Sequence, residues 1–287
     1  MIVKNRIKKV IDAILPRNTR RRHLAKTLYS LATGNIKLRA TSHCAYIQSV
    51  SPYYQFHFTA RDIRRGKHRE VIGYNWDEIG KVQFNFLLDR GLQPTHPLLD
   101  VGCGPLRGGI HFVRYLDVGN YYGVDLSANL IEAGKYELEK AEIFNREPHF
   151  LVTDKFELHR FAVQFDYALA HSVFTHLPMN QIVRCLVEMK KVLKPTGVFY
   201  ASFFEAPSVA HIKEILHIPG NMITHMDSDM FHYSFHELEW LATNAGLKAE
   251  FVGAWNHPFP DVKMAAFTVA KTHSDLAFPN GRPAAMK

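Results

Sequence analysis

The run Leu98-Leu99-Asp100-Val101-Gly102-Cys103-Gly104-Pro105-Leu106-Arg107-Gly108-Gly109 leads from an apolar stretch into a glycine-rich turn and then into a helical pattern. Glycines at 102 and 104 let backbone approach a ligand closely, and a helix that starts after them offers free N–H groups at the edge of a sheet. A cofactor is expected there. A dinucleotide fingerprint would need its third glycine at position 107, where this chain has Arg107, with Gly108 one place late, so NAD is disfavoured. Asp100 has no part in cradling a pyrophosphate but suits a cationic or N–H-bearing ligand group. The plain alternative for Gly102 and Gly104 is a tight turn between strand and helix. His232 and His236 have metal-ligand spacing, but Ser234 between them reads as a helix N-cap and no third ligand is signalled, so no metal is expected.

These residues need a scaffold, and the pattern supplies one. Residues 76–90 read as a helix with Ile79, Val82, Phe86 and Leu87 on one face, broken by Gly91 and Pro94. Strand and helix signals then alternate: strands at 97–101, 121–125, 149–152, 165–170 and 197–204, with helices at 127–140 and 180–193. Such alternation predicts a parallel sheet with helices on both faces. After a helix at 234–245, ended by Gly246, strands at 248–252 and 264–270 are joined without a helix, which predicts an antiparallel pair at the sheet's edge.

The chain has 287 residues, enough to bury a core, and its 47% hydrophobic and 22% charged content is ordinary for a globular protein. No apolar run approaches membrane-spanning length, and Val10–Leu15, interrupted by Asp12, is too short for a signal-peptide core. Cys44, Cys103 and Cys185 are an odd count at unrelated spacings, which argues against a disulfide framework and for a reducing cytoplasm. The net charge of +8 is unevenly spread. Residues 1–70 hold 16 Lys or Arg against Asp12, Asp62 and Glu70, leaving the rest mildly acidic. Ile2, Ile7, Val10, Ile11, Ile14 and Leu15 fall near helical spacing among lysines and arginines, so residues 1–40 read as a basic helical arm for an anionic membrane surface or an acidic protein. A solvated helix packed on its own body is the alternative. Residues 41–70, rich in aromatics, read as irregular structure with short helices that could form a lid.

At this point a family comes into view. Leu98 to Gly109 resembles motif I of the class I S-adenosylmethionine-dependent methyltransferases, and the rest of the chain keeps step from about residue 76 to 272. Tyr122-Gly123-Val124-Asp125-Leu126-Ser127 resembles their second strand, whose terminal acid binds the ribose hydroxyls. Phe150-Leu151-Val152-Thr153-Asp154 resembles the third, whose acid meets the adenine amino group; a helix N-cap is the alternative for Asp154. Phe165 to Leu177 resembles the fourth strand and its following loop, and Leu193-Lys194-Pro195-Thr196-Gly197 the turn before the fifth. The resemblance implies a Rossmann-like, doubly wound α/β fold with a mostly parallel seven-stranded sheet and an antiparallel edge strand, behind a helical N-terminal extension. It implies a division into an extension at 1–75, a methyltransferase domain at 76–273 and a tail at 274–287. It assigns S-adenosylmethionine binding to Asp100, Gly102, Gly104, Arg107, Asp125, Leu126, Asp154 and His171. More narrowly, Trp76 to Phe86, Leu106 to Gly109 and Ser172 to Leu177 are similar to bacterial methyltransferases of cell-surface glycan clusters.

Methyl transfer from a sulfonium is an in-line displacement, and a hydroxyl acceptor must lose a proton. Imidazoles titrate near neutrality, so His176 is the favoured base, with His171 the second candidate and a neighbour of the cofactor. Either could be structural, as most of the 17 histidines must be. The insertion at 205–233, with His225, Asp227, Asp229 and His232, is expected to shape the acceptor pocket, and Trp255-Asn256-His257-Pro258 either closes over substrate or simply packs. The expected reaction is methylation of an oxygen on a sugar, glycan or other small polar molecule. Ala170-His171-Ser172-Val173 replaces the Asn/Asp-Pro-Pro-aromatic run of nucleic-acid amino-methyltransferases, which makes nucleic acid an unfavoured substrate. An RNA-binding role for the basic arm and a non-catalytic cofactor-binding scaffold are the competing classes.

Overall fold

In the computed structural model the chain falls into two compact units, 1–49 and 50–287. The structure describes Tyr53 and residues 56–72, 75–207, 210–218 and 220–270, all within the second unit. The basic amphipathic helix expected near the N-terminus lies outside the described residues.

Two short helices, α1 (Ala60–Arg64) and α2 (Lys67–Val71), precede α3 (Trp76–Asp89). The alternating body follows: β1 (Leu98–Val101), α4 (Gly109–Tyr115), β2 (Tyr121–Asp125), α5 (Ala128–Lys140), β3 (His149–Val152) and β4 (Phe165–Ala170). Then come α6 (Met179–Val192), β5 (Leu193–Glu205), a hairpin of β6 (Ile215–His217) and β7 (Met222–Thr224), and β8 (His232–Tyr233). The chain closes with α7 (Phe235–Ala245), β9 (Leu247–Gly253) and β10 (Val262–Val269).

The main sheet runs β3-β2-β1-β4-β5-β10-β9, with β8 paired to the end of β5 as an eighth strand. The first five are parallel, while β10 is antiparallel to both β5 and β9. A seven-stranded, mostly parallel sheet is what the family resemblance implies, and the helix-free antiparallel pair at its edge is what the sequence pattern predicts; the two-residue β8 has too little length to leave a pattern. One boundary differs: Leu193-Lys194-Pro195-Thr196-Gly197 is not a turn before the fifth strand but its first residues. Leu193 pairs with Phe165, and the register slips before Val198 meets Tyr167. Proline cannot donate to a ladder, and the irregularity at Pro195 absorbs that loss.

Core lies on both sheet faces because neighbouring strand residues point to opposite sides. Leu99 and Val101 pack with Ile182, Leu186 and Met189 of α6 and Leu238 and Leu241 of α7. Leu98 packs on the other face with Phe86 and Leu87 of α3, Phe112 of α4 and Leu138 of α5. Fully burying each such side chain stabilises by roughly 1.5–3 kcal/mol. Caps set the helix ends: Ser127 accepts from Leu130 N–H, and Ser234 forms a capping box with Glu237. At the other end of α7, Gly246 adopts φ +75°, the left-handed stop that glycine favours.

Residues 56–72 form a strap held on α5 at Asn129 and Glu137. Phe58 N–H donates to Asn129 Oδ1 (2.6 Å), and Asn129 Nδ2 donates back to the Phe58 carbonyl (3.0 Å). His68 Nε2 donates to Glu137 Oε1 of α5 at 2.6 Å, and Arg69 grips both carboxylate oxygens through Nε and Nη2. Burial opposes ionisation of Glu137, yet the hydrogen bonds from His68 and Arg69 hold its carboxyl down at about 2. The strap ends with the Ile72 carbonyl accepting from Arg107 Nη1.

Because this carboxyl is depressed in the fold, its stabilisation is present above the ordinary Glu range and is lost as pH falls toward 2. Glu137→Gln is expected to cost about 2–4 kcal/mol in urea unfolding at pH 7, less than a fully buried pair because Arg69 is partly exposed. The difference from wild type should shrink as pH drops below about 4. A variant as stable as wild type at pH 7 would show that the triad does not anchor the strap.

Candidate active site

The strand order reverses direction between β1 and β4, and in open α/β sheets the crevice outside the carboxyl ends at that point receives the ligand. The Gly102–Gly109 turn leaves β1 on one side of the crevice, and His171 leaves β4 on the other. Gly102 and Gly104 have φ of +68° and +52°, the left-handed region that penalises a Cβ. A Cβ on Gly102 would also run into the Val173 side chain. The glycines thus serve both the bend and the packing of the loop after β4. Gly80 and Gly108 are required for a different contact, because side chains there would collide with the Arg107 carbonyl and with Gln83.

Asp125 ends β2, 8% exposed, and its two oxygens accept from Gly104 N–H (2.9 Å) and Ser127 N–H (2.8 Å). Burial still raises its carboxyl to about 6 despite those bonds. Asp100 is buried in β1 and accepts from Tyr121 O–H at 2.7 Å; burial pushes it up to about 7, the Tyr121 hydrogen bond opposing and Asp125 adding to the rise. Leu126 follows Asp125 at the mouth of the same strand. Asp154, two residues beyond β3, has Oδ2 buried without a hydrogen-bond partner. A carboxylate oxygen in that state is a place for an N–H donor from a ligand. Arg107 Nε is also buried without a partner, and burial lowers the guanidinium to about 10, with Tyr53 acting the other way.

His171 is held on every side. Its Nδ1 accepts from Gln83 Nε2 (3.3 Å) and Arg107 Nη2 (3.4 Å), and its ring lies against Trp255 and His257. Burial, then the Arg107 and His257 charges, push it well below the ordinary histidine value, so it stays neutral. Trp255 is 5% exposed, donates Nε1–H to the Val262 carbonyl and stacks on His257, which assigns it to packing rather than to a closing loop.

His176 stands at the end of the short 3-10 helix Phe174–His176, beyond His171. Its Nδ1 lies 2.6 Å from Asp229 Oδ1 of the insertion, and its Nε2 lies 3.2 Å from the Tyr53 hydroxyl. Burial raises the Tyr53 phenol to about 12, and the facing Asp229 carboxylate adds to that. Tyr53 is 123 residues away in sequence, and no spacing rule connects it to His176. Asp229 was visible only as one of several acids in the insertion. Asp227 is exposed, and His225 faces Glu214 at 3.5 Å. His232 is buried in β8 whereas His236 is exposed on α7, so their spacing in sequence does not make a joint site.

A family described as "Methyltransferase domain" matches residues 99–199. The probable methyltransferase ltbC of Aspergillus luteorubrus is 30% identical over 115 residues, covering 37% of this chain and 39% of that protein. The demethylmenaquinone methyltransferase of Bacillus mycoides is 25% identical over 155 residues, 54% of this chain and 64% of that one. The chain thus spans less than two thirds of these curated relatives. Among solved structures, an S-adenosylmethionine-dependent methyltransferase from Clostridium acetobutylicum superposes with a TM-score of 0.54 at 11% identity, over 74% of this chain and all of its own. Residues 99–199 thus match a methyltransferase domain, and the sheet order around them is the Rossmann-like fold of the solved structure.

Proposed function

We propose that this protein transfers the methyl group of S-adenosylmethionine to an oxygen of a small polar acceptor, a sugar or glycan hydroxyl in the first instance. The observation that carries this reading is the Asp229–His176 pair at the carboxyl end of the sheet. The Asp229 carboxylate only accepts, so His176 presents N–H at Nδ1 and a lone pair at Nε2. In the free protein the Tyr53 hydroxyl donates to that lone pair.

The cofactor's residues fit the group. Asp125 has lone pairs left for ribose hydroxyls beside the two N–H donors it holds, and the unpartnered Asp154 Oδ2 suits the adenine amino group. Asp100, Gly102, Gly104, Arg107 and Leu126 line the same turn, with His171 fixed opposite. When bound, S-adenosylmethionine supplies an electrophilic methyl carbon. His176 Nε2 would take the acceptor's O–H proton as its oxygen is methylated, and Asp229 would stabilise the resulting imidazolium. The proton leaves for solvent when the product departs. The insertion, which brings Asp229 to the site, shapes the acceptor pocket.

Among the described residues no helix is long and apolar enough to cross a membrane. The basic arm supports a cytoplasmic enzyme that meets an anionic membrane or an acidic partner through residues 1–40.

Three outcomes are expected. Asp125→Ala should weaken S-adenosylmethionine binding at least tenfold in calorimetry, and wild-type affinity should itself fall about tenfold per pH unit below 6, as the carboxyl takes up its proton. Affinity that is flat with pH, or untouched by the substitution, would remove Asp125 from the cofactor site. His176→Ala should lower turnover about 10²–10⁴-fold while leaving cofactor affinity within a factor of a few. An unchanged rate on an accepted hydroxyl substrate would take the base role from it. Deleting residues 1–22 should reduce cosedimentation with anionic vesicles, and an unaltered bound fraction would assign the arm to packing or to a soluble partner.

A further inference from the structure

Near Asp229 lies a chain of polar groups, buried at its centre and ending at the half-exposed Asp261, that the reaction above does not use. Asp261 Oδ2 lies 2.9 Å from His217 Nδ1, and His217 Nε2 lies 2.7 Å from Thr224 Oγ1. Thr224 Oγ1 is in turn 2.8 Å from His232 Nδ1, and His232 Nε2 is 2.8 Å from the His211 carbonyl. His217, Thr224 and His232 are at most 2% exposed, so water cannot stand in for a missing partner.

Counting hydrogens along this chain gives an unexpected result. The Asp261 carboxylate and the His211 carbonyl at its ends only accept, so its four contacts require four hydrogens. Two neutral imidazoles and one hydroxyl carry three. The chain therefore needs one proton more than neutral histidines hold. Burial pushes His232 below the ordinary histidine value, the neighbouring His211 and His217 adding to this, whereas His217 faces a carboxylate. Other charged groups nearby are the His211–Glu237 pair on the α7 side, the His225–Glu214 pair on the hairpin side and Glu205, whose N–H donates to the Asp261 carbonyl.

The position of the chain gives that proton a consequence. Thr224 and His232 flank residues 225–231, and their side-chain bond closes the stem of that loop. His225 N–H donates to the Met230 carbonyl, His232 N–H to the His225 carbonyl, and Phe231 N–H to the Thr175 carbonyl beside His176. Asp229 sits at the turn of this loop.

We propose that His217, Thr224 and His232 are positioning residues that hold Asp229 against His176, and that the hold requires a second proton on His217 paired with Asp261. The proposal rests on His176 as the base, but the proton itself is a property of the fold. Loss of that proton leaves one of the four bonds unmade, loosens the stem and withdraws Asp229 from His176 Nδ1.

The test is nitrogen-15 histidine NMR of the whole protein, with His217, His232 and His176 assigned from single substitutions. In wild type at the acid end of the histidine range, about pH 5–6, His217 should show two N–H groups and His176 Nδ1–H the downfield proton of a bond to Asp229. As pH rises, the second His217 proton and the His176 signal should be lost at one midpoint. Asp261→Asn supplies the control, because an amide N–H can donate to His217 Nδ1 and satisfy all four contacts with both imidazoles neutral. In that variant the His176 signal should persist to higher pH with no His217 imidazolium present. A His217 that is neutral in folded wild type, or a His176 signal whose midpoint is the same in Asp261→Asn, would overturn the proposal. Absence of methyl transfer with the predicted NMR behaviour intact would instead overturn the role given to His176.

Discussion

The hydrogen bond from Gly104 N–H to the Asp125 carboxylate joins the turn after β1 to the end of β2, and much of the site follows from it. It requires the chain to reverse tightly at Gly102 and Gly104, both with positive φ. That reversal brings Arg107 and Gly108 under α3, where Gly80 permits the contact, and leaves Val173 packed on Gly102. The loop after β4 is therefore seated on the glycine turn itself. A shift in one displaces the other, so His171 and His176 are referenced to the same backbone that would receive the ligand.

The two added pieces complete this edge from opposite directions. The strap arrives from the N-terminal side, anchored by Glu137, and delivers Ile72 to Arg107; Tyr53, just ahead of it, caps His176. The insertion arrives from the end of β5 and delivers Asp229 to the other ring nitrogen. His176 thus stands where three segments remote in sequence meet, while its own helix is a single short turn. Its orientation is imposed from outside, by Tyr53 on one ring nitrogen and Asp229 on the other.

Local pattern made the scaffold legible. The strand ending in Asp125, the glycine turn and the N-caps at Ser127 and Ser234 each obey short-range rules, and the helix-free link between β9 and β10 announced their antiparallel pairing. The proposed cofactor residues were placed by the same rules, since Asp100, Gly104 and Asp125 sit at fixed places on consecutive elements. The partners of His176 were not. Tyr53 belongs to a stretch without periodicity, and Asp229 to a loop whose path is set by buried side-chain bonds rather than by any repeat. Pro195 misled in the other direction, because its turn chemistry is absorbed within a strand as an irregularity. Trp255 carried two readings, and only its burial against His257 and Phe86 separates them.

Electrostatics bears on which ligand the glycine turn can accept. Asp100 and Asp125 are both buried, both raised above ordinary carboxyls by that burial, and Asp125 adds to the rise at Asp100. Asp154 contributes an unpartnered oxygen nearby, and the guanidinium of Arg107 is spent on the Ile72 carbonyl and the neutral His171 ring rather than on these acids. Among the described residues, then, no ion pair balances the acidic groups at this edge. A ligand carrying positive charge and N–H or O–H donors relieves that cost and is bound more tightly by the amount it relieves. A phosphate-rich dinucleotide would meet the same carboxylates as repulsion, so the charge at this edge and the missing glycine at Arg107 weigh against a pyrophosphate together.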